Sequence, residues 1–456
     1  MGRILDLGLR YSPIYLVTDS SLKRRVRGSE SNRTSMGRRA GAVTVSLDVW
    51  HLDIPEFLEC QTENGDQRRK AYDIFPQFVI SDEFMRRVVN AETWTLVDPY
   101  EVREKLGIEL AELWGEAFED AYRKIEASLD KKLTLYKQLN ARELFKHVMR
   151  TQVETGMPYL WFKDTANRAN PNQHEGYIPG GNLCQESWSN VKPGQEAHTC
   201  NLNSLNLANI EDSELPEICE TAVRILDNTI ELTHTPFEAS ETHNAKYRTI
   251  GVGAMGLADW LAKRRLSYNE LEKIGNLFED IGYYCTRASA DLAKERGAYA
   301  AFAGSEWSKG HLIGAKPLSW FEENARDPQR WAKLSEDIQQ HGIRNSHITA
   351  IAPNTSSSLV QGCTASILPA YSRFFYDKWA KGTVPIAPPY IKDYFWYYPE
   401  NKSIDQKQIV RAVAAMQQWI DTGISMELIF NLNAGVYFPD EPDRSIKAKD
   451  IYETLV

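Results

Sequence analysis

Long apolar runs are missing from this 456-residue chain, and none approaches the roughly 20 residues needed to span a bilayer. The start, "MGRILDLGLRYSPI", lacks the apolar centre and small-residue cleavage site of a secretion signal. Cysteine is scarce: six scattered residues make no disulfide framework, and no CxxC pair or Cys/His cluster has zinc-ligand spacing. Positive charge is outweighed, 53 Lys and Arg against 62 Asp and Glu, so the net −9 gives no general attraction to nucleic acid or anionic membranes. The one basic stretch, "SSLKRRVRGSESNRTSMGRRAG" over residues 20–41, reads as a solvated loop. These absences lead to an expected place in a reducing cytoplasm, with no bound metal and no membrane or nucleic-acid partner. There, an unpaired cysteine is either core filler or a reagent.

What remains is ordinary globular material, 42% hydrophobic and 25% charged, long enough for one large α/β unit or two to three domains. Residues 42–57 read as a strand followed by a short helix started by proline, and 60–73 as a polar loop. Apolar residues at helical spacing predict helices over 101–129, 140–156, 214–233, 270–297 and 406–432, with Gly156 as a C-cap. "MPYLWFKDTANR" reads as a buried strand, "NPNQHEGYIPGGN" as a turn-rich loop, and "HITAIAPNTSSSLVQG" as strand, polar turn and helix start. Strands alternating with helices predict an α/β fold with parallel strands.

The cysteines sort by their neighbours. Cys219 and Cys285 lie on apolar helical stripes and are expected in the core. Cys60 and Cys363 fall in or beside loops, where chance exposure is expected. Cys184 and Cys200 belong to no such stripe and are flanked by Asn, Gln, Glu or Thr. A hydrolase built on Cys184 would need a histidine base, and His198 is nearest in sequence. Yet Glu186, two residues on, opposes thiolate formation. A carboxylate beside a neutral thiol suits a cysteine that reacts by losing a hydrogen atom, with Glu186 as general base toward a substrate hydroxyl. "GVGAMG" satisfies GxGxxG with Gly251, Gly253 and Gly256, but no buried strand is predicted before it, so these glycines are expected to serve packing against the following helix.

Taken together, the motifs resemble those of the ribonucleotide reductase catalytic (large, alpha) subunit, of class I type. "GNLCQE" is similar to that family's active-site loop. "HTCNLNSLNLANI" resembles the segment carrying its second redox cysteine, and "RTIGVGAMGLADWL" a further family segment. "IAPNTSSS" resembles the turn holding the substrate phosphates, while "RRAGAVTVSLDVWHLDIPEFLE" and "ENGDQRRKAYD" are similar to a family strand and its specificity loop. The ordered matches run from about residue 37 to residue 450.

The resemblance implies a ten-stranded α/β barrel with a finger loop at residues 176–190 threading its centre. It implies that Cys184 becomes a thiyl radical, that Glu186 acts as base, that Asn182 holds the ribose hydroxyls, and that Cys200 is one of two reducing thiols. Asn182 and Glu186, at i−2 and i+2, would share the face of Cys184 if the loop is extended. Pro353, Asn354, Thr355, Ser356 and Ser357 would bind the substrate phosphates, where a helix start offers N–H donors; a plain capping turn is the other reading. Gln67, Arg68 and Arg69 would form the specificity loop. The implied partners are a ribonucleoside diphosphate, a radical-generating dimetal small (beta) subunit, an external dithiol, a nucleotide effector and a second alpha chain.

Three departures qualify this. The chain starts at a segment that follows the family's first redox cysteine, so the partner of Cys200 is missing. The effector-site region, residues 11–38, has diverged. The relay tyrosines and the cysteine-bearing tail expected after "KDIYETLV" are not present. The expectation is therefore one incomplete barrel domain over 1–456 that pairs with a complementing N-terminal fragment and is inactive alone. An adenosylcobalamin-dependent reductase and a non-catalytic scaffold remain as alternatives.

Overall fold

The computed structural model describes residues 42–379 and 382–455, together with the strand Leu16–Val17. The basic stretch 20–41 and, apart from Leu16–Val17, the remainder of the 11–38 region lie outside the described residues. Backbone contacts divide the described chain into two compact units, one from residues up to 168 with 177–185, the other from 169–176 with 186–455.

In the first unit, β1 (Leu16–Val17), β2 (Thr44–Asp48), β3 (Phe75–Ile80) and β6 (Tyr159–Phe162) form one sheet in the order β1-β2-β3-β6. β2, β3 and β6 run parallel, and β1 pairs antiparallel to β2. All five residues of β2 are buried, as in a parallel sheet covered on both faces. β4 (Thr93–Val97) and β5 (Tyr136–Asn140) make an antiparallel pair. The helix Ala141–Thr155 follows the predicted boundaries because its ends are written locally. Asn140 accepts from the Arg142 and Glu143 amides, and Gly156 closes the helix at φ +76.

The predicted helix over 101–129 is two helices, Pro99–Leu106 and Gly115–Glu126. Gly107 ends the first at φ +69, and a short 3-10 turn, Leu110–Glu112, separates it from the second. "MPYLWFKDTANR" supplies the strand β6 but turns helical from Lys163 to Arg168.

In the second unit, β7 (Leu202–Asn206) pairs parallel to β8 (Gly251–Met255). Single parallel bridges extend the array from Val252 to Thr349 and from Ile351 to Ile424. The glycines of "GVGAM" lie inside β8 and admit close neighbours on adjacent strands, in place of the expected packing on the following helix. A Cβ at Gly251 would stand 2.8 Å from that of Ala350, and one at Gly253 would overlap the Ala350 carbonyl. Gly256 takes φ +77 where strand turns into the helix Leu257–Lys263. The helices Leu215–Leu232, Leu271–Arg296, Pro328–His341 and Gln406–Gln417 contribute to the main apolar core, which contains Cys219 and Cys285 as expected.

The last predicted helix stops at Gln417, not at residue 432. The buried carboxylate of Asp421 accepts from the amides of Ile348 and Thr349 at 2.8 Å and from Thr349 Oγ1 at 2.9 Å. Those bonds draw residues 421–425 into the parallel array, and helix cannot continue there. β9 (Phe375–Trp379) and β10 (Gly382–Ile386) form a separate hairpin. The α/β class is thus observed, with the described strands distributed over one four-stranded and three two-stranded sheets.

Candidate active site

The loop carrying Cys184 is turned, not extended as its i−2/i+2 spacing had suggested. Gln185 donates to the Asn182 carbonyl through its backbone N–H at 3.2 Å and through Nε2 at 3.0 Å. Leu183 and Cys184 are therefore the central residues of a tight turn, and Gln185 sits in the left-handed region at φ +68. Gly181 precedes the turn because a Cβ there would come within 2.9 Å of the Trp161 indole. Asn182 and Cys184 are half-buried.

Glu186 begins the second unit's share of this loop and is only 2% exposed. Its carbonyl accepts from the Gly423 amide at 2.9 Å. Gly423 O in turn accepts from the Ile351 amide at 3.0 Å, two residues before the Pro353 turn. That turn matches expectation in outline: Asn354 takes φ +53, and the helix Thr355–Gln361 starts after it. Asn354 Nδ2 donates to Ser204 Oγ at 2.8 Å and to Ala352 O at 3.0 Å. Pro353 and Asn354 are half-buried, while Thr355, Ser356 and Ser357 are exposed. Ser204 lies on β7, four residues after the exposed Cys200. One continuous path of strand and hydrogen bond in the second unit thus joins Glu186, the 353–357 turn and the segment of Cys200.

Among the described residues no disulfide joins the six cysteines. Cys60 and Cys363, expected at the surface, are both buried. Cys363 packs with Ala208 and Met255 beside Gly256. Burial pushes the Cys60 thiol up to about 11 and that of Cys363 up to about 12, so neither is a reagent at neutral pH. His198 is no base for a cysteine hydrolase, since Ser187 Oγ lies 2.7 Å from its Nε2 and Ser189 Oγ 2.9 Å from its Nδ1. Burial also lowers the imidazole to about 4.

In the first unit, Gln67, Arg68 and Arg69 form an exposed 3-10 turn capped by Asp66, which accepts from the Arg68 amide and pairs with its guanidinium at 2.8 Å. Arg69 pairs with Glu56 at 3.2 Å. The anchor of this loop is Lys70, which sequence reading passed over. Its buried ammonium donates to Glu59 O at 2.7 Å, to Thr62 Oγ1 at 3.0 Å and to Asn64 O. Its sequence signal was its place inside "ENGDQRRKAYD", where nothing marked it as the anchor. Asp421 gave no signal, and Ser204, though inside "HTCNLNSLNLANI", was not marked as an anchor, because their partners lie about 72 and 150 residues away.

Among the described residues no cluster of His, Cys, Asp and Glu could hold a metal ion, and no helix is long and apolar enough to cross a membrane.

The described residues form an α/β protein with a turned cysteine loop in the first unit and, in the second, a cysteine two residues before β7 and a Ser/Thr-rich turn at a helix start. Residues 29–453 match the family model for the ribonucleotide reductase barrel domain, and the chain belongs to that family. It is similar to the ribonucleoside-diphosphate reductase subunit alpha of Synechocystis, 75% identical over 92% of this chain and 55% of that protein. The Helicobacter pylori (strain J99) subunit alpha is 33% identical over 87% of this chain and 58% of its own length. The Caenorhabditis elegans large subunit is also 33% identical, over 78% and 44%. The chain therefore spans about half the length of the curated relatives it matches.

Proposed function

We propose that this chain supplies the catalytic residues of a ribonucleoside-diphosphate reductase alpha subunit. The observation that carries this reading is the family match over 29–453, which includes the loop Asn182-Leu183-Cys184-Gln185-Glu186. For the family-matched residues the proposed architecture is the ten-stranded α/β barrel, with 176–190 as its finger loop.

In the proposed reaction a radical generated by a dimetal small subunit is passed to Cys184, whose sulfur then takes the 3′ hydrogen atom of the ribose. Glu186 accepts the 3′-OH proton while the 2′ oxygen leaves as water, a step made easier by the neighbouring radical. Two thiols, one of them Cys200, supply two electrons and two protons and close to a disulfide. Cys184 then returns the hydrogen atom to C3′, and an external dithiol reopens the disulfide. Asn182 holds the ribose hydroxyls. The diphosphate is met by backbone N–H groups and hydroxyls of Pro353, Asn354, Thr355, Ser356 and Ser357. Gln67, Arg68 and Arg69 respond to a nucleotide effector, and a second alpha chain is the expected companion.

The test supplies the chain with a radical-generating small subunit and a dithiol, with and without a polypeptide bearing the family's first redox cysteine. Deoxynucleotide formation that is lost in Cys184→Ser and in Glu186→Gln supports the reading. Turnover that survives Cys184→Ser overturns it.

A further inference from the structure

Two segments of the second unit carry proposed reaction groups, one beginning at Glu186 and one ending at Cys200. They are tied to each other by side chains that the reaction itself does not use. Ser187, directly after Glu186, places Oγ 2.7 Å from His198 Nε2. Ser189 Oγ lies 2.9 Å from His198 Nδ1 and 2.7 Å from His243 Nε2. His198 precedes Cys200 by two residues and spends both ring nitrogens on hydroxyls of the other segment. The His198 and His243 rings meet edge to face at 5.4 Å, and His243 packs against Tyr247 at 4.9 Å.

The base beneath this arrangement is the helix Glu238–Tyr247. It holds residues 196–198 at three further points. Ala197 donates to the Ala239 carbonyl at 3.0 Å, Lys246 Nζ reaches Glu196 Oε1 at 3.0 Å, and Tyr247 OH reaches Glu196 Oε2 at 3.3 Å. Ser187, Ser189 and His243 are all buried, and burial holds both imidazoles neutral at ordinary pH. A neutral imidazole gripping two hydroxyls of one loop fixes both position and orientation, because its two nitrogens point in set directions.

We propose that Ser187, Ser189, His198 and His243 are positioning residues that hold Glu186 and Cys200 in fixed register toward one ribose. The proposal rests on the catalytic reading of those two residues. Base and thiol must act on the same sugar ring, and an ångström of misplacement costs about 100-fold in rate. No proton of the clamp passes to substrate.

Two measurements test it. Amide hydrogen exchange of the chain reads the mechanical coupling without any turnover. Ser187→Ala should speed exchange about tenfold in both 186–190 and 196–201, the effect of one lost hydrogen bond, and His198→Ala, which loses two, should speed it further in the same two segments. The double variant should be no faster than the larger single one, and Ser187→Thr, which keeps the hydroxyl, should stay protected. In reductase assays with the small subunit, Ser187→Ala should lower kcat by about 10- to 100-fold with KM for the diphosphate within about threefold, and Ser187→Thr should restore kcat. Exchange that changes only around the substituted residue, or effects of the two substitutions that multiply, overturns the clamp. Turnover persisting in Cys184→Ser would instead remove the catalytic reading, and leaves the exchange result standing by itself.

Discussion

Asn354 Nδ2 donates to Ser204 Oγ across 2.8 Å, fastening the left-handed residue of the Ser/Thr turn to the middle of β7. The bond has a measurable role if the turn binds phosphate. Ser204→Ala removes the acceptor and leaves the strand intact. A hydrogen bond of this kind contributes about 0.5–1.5 kcal/mol, so a nucleoside diphosphate should bind about 2- to 10-fold more weakly by titration calorimetry, with the melting temperature nearly unchanged. An unaltered Kd would separate the turn from phosphate binding.

Gly253 stands opposite Ser204 in the β7–β8 register. Its missing side chain leaves room for the Ala350 carbonyl, and a Cβ would also lie 3.2 Å from Ser204 Oγ. Gly253→Ala should cost about 1–3 kcal/mol in denaturant unfolding, through overpacking between strands. Gly275, inside the helix Leu271–Arg296, offers the contrast, since its nearest obstacle is the Ala415 carbonyl at 3.9 Å. There alanine should stabilise by about 0.5–1 kcal/mol.

Lys70 organises the proposed specificity loop by donating to three oxygens of residues 59–64. Lys70→Met keeps the apolar stem and removes the ammonium, leaving two carbonyls and a hydroxyl without their donor. Protease cutting within 61–69 should rise at least about tenfold while the sheet β2-β3-β6 stays protected, since the loss is local. If the loop answers a nucleotide effector as proposed, the same variant should blunt that response in reductase assays.

His347 is buried, its Nδ1 is 3.1 Å from Ser346 Oγ, and burial lowers the imidazole to about 3. The folded state thus refuses a proton that the unfolded chain accepts near pH 6.5. Stability carried by the neutral ring is complete above pH 6.5 and falls as the pH drops toward 3. Between pH 7 and pH 5 the wild type should lose about 2 kcal/mol more than His347→Gln, measured by urea unfolding at each pH. Asp421, raised to about 6 by burial, acts with the opposite sign in the same window, so the comparison with the variant is what isolates the histidine.

Much of the local structure was legible because its determinants are local. Asn140 and Gly156 mark both ends of one helix, and Cys219 and Cys285 announce their burial through neighbours three and four residues away. Two of the errors share one cause. The helix ending at Gln417 and the burial of Cys363 depend on Asp421 and Gly256, whose partners are far along the chain. The cysteine loop was misjudged for a subtler reason. The spacing of Asn182, Cys184 and Glu186 fits a strand, but the Gln185 amide bonds back to Asn182 and folds the segment into a turn. For the site, motif resemblance named Cys184, Glu186, Cys200, the 353–357 turn and the 67–69 loop. Ser204, His198 and Lys70 lie inside the same quoted segments, but nothing in those segments marks them as the side chains that hold the site, because their bonding partners are set by the fold.

The serine–histidine chain behind Glu186 also has a direction. Ser189 owns one hydroxyl proton and faces two imidazoles, and its 3.5 Å approach to the Asn190 carbonyl is too long to compete. It can give that proton to one ring only and must receive from the other. A neutral His198 is equally constrained, with one N–H for two nitrogens. The protons from Ser187 to His243 therefore all point one way or all point the other, and tautomerising one ring obliges the rest to reverse in concert. The same heavy atoms thus support two opposed dipoles, and beside Glu186 the hydroxyl of Ser187 is a donor in one and an acceptor in the other.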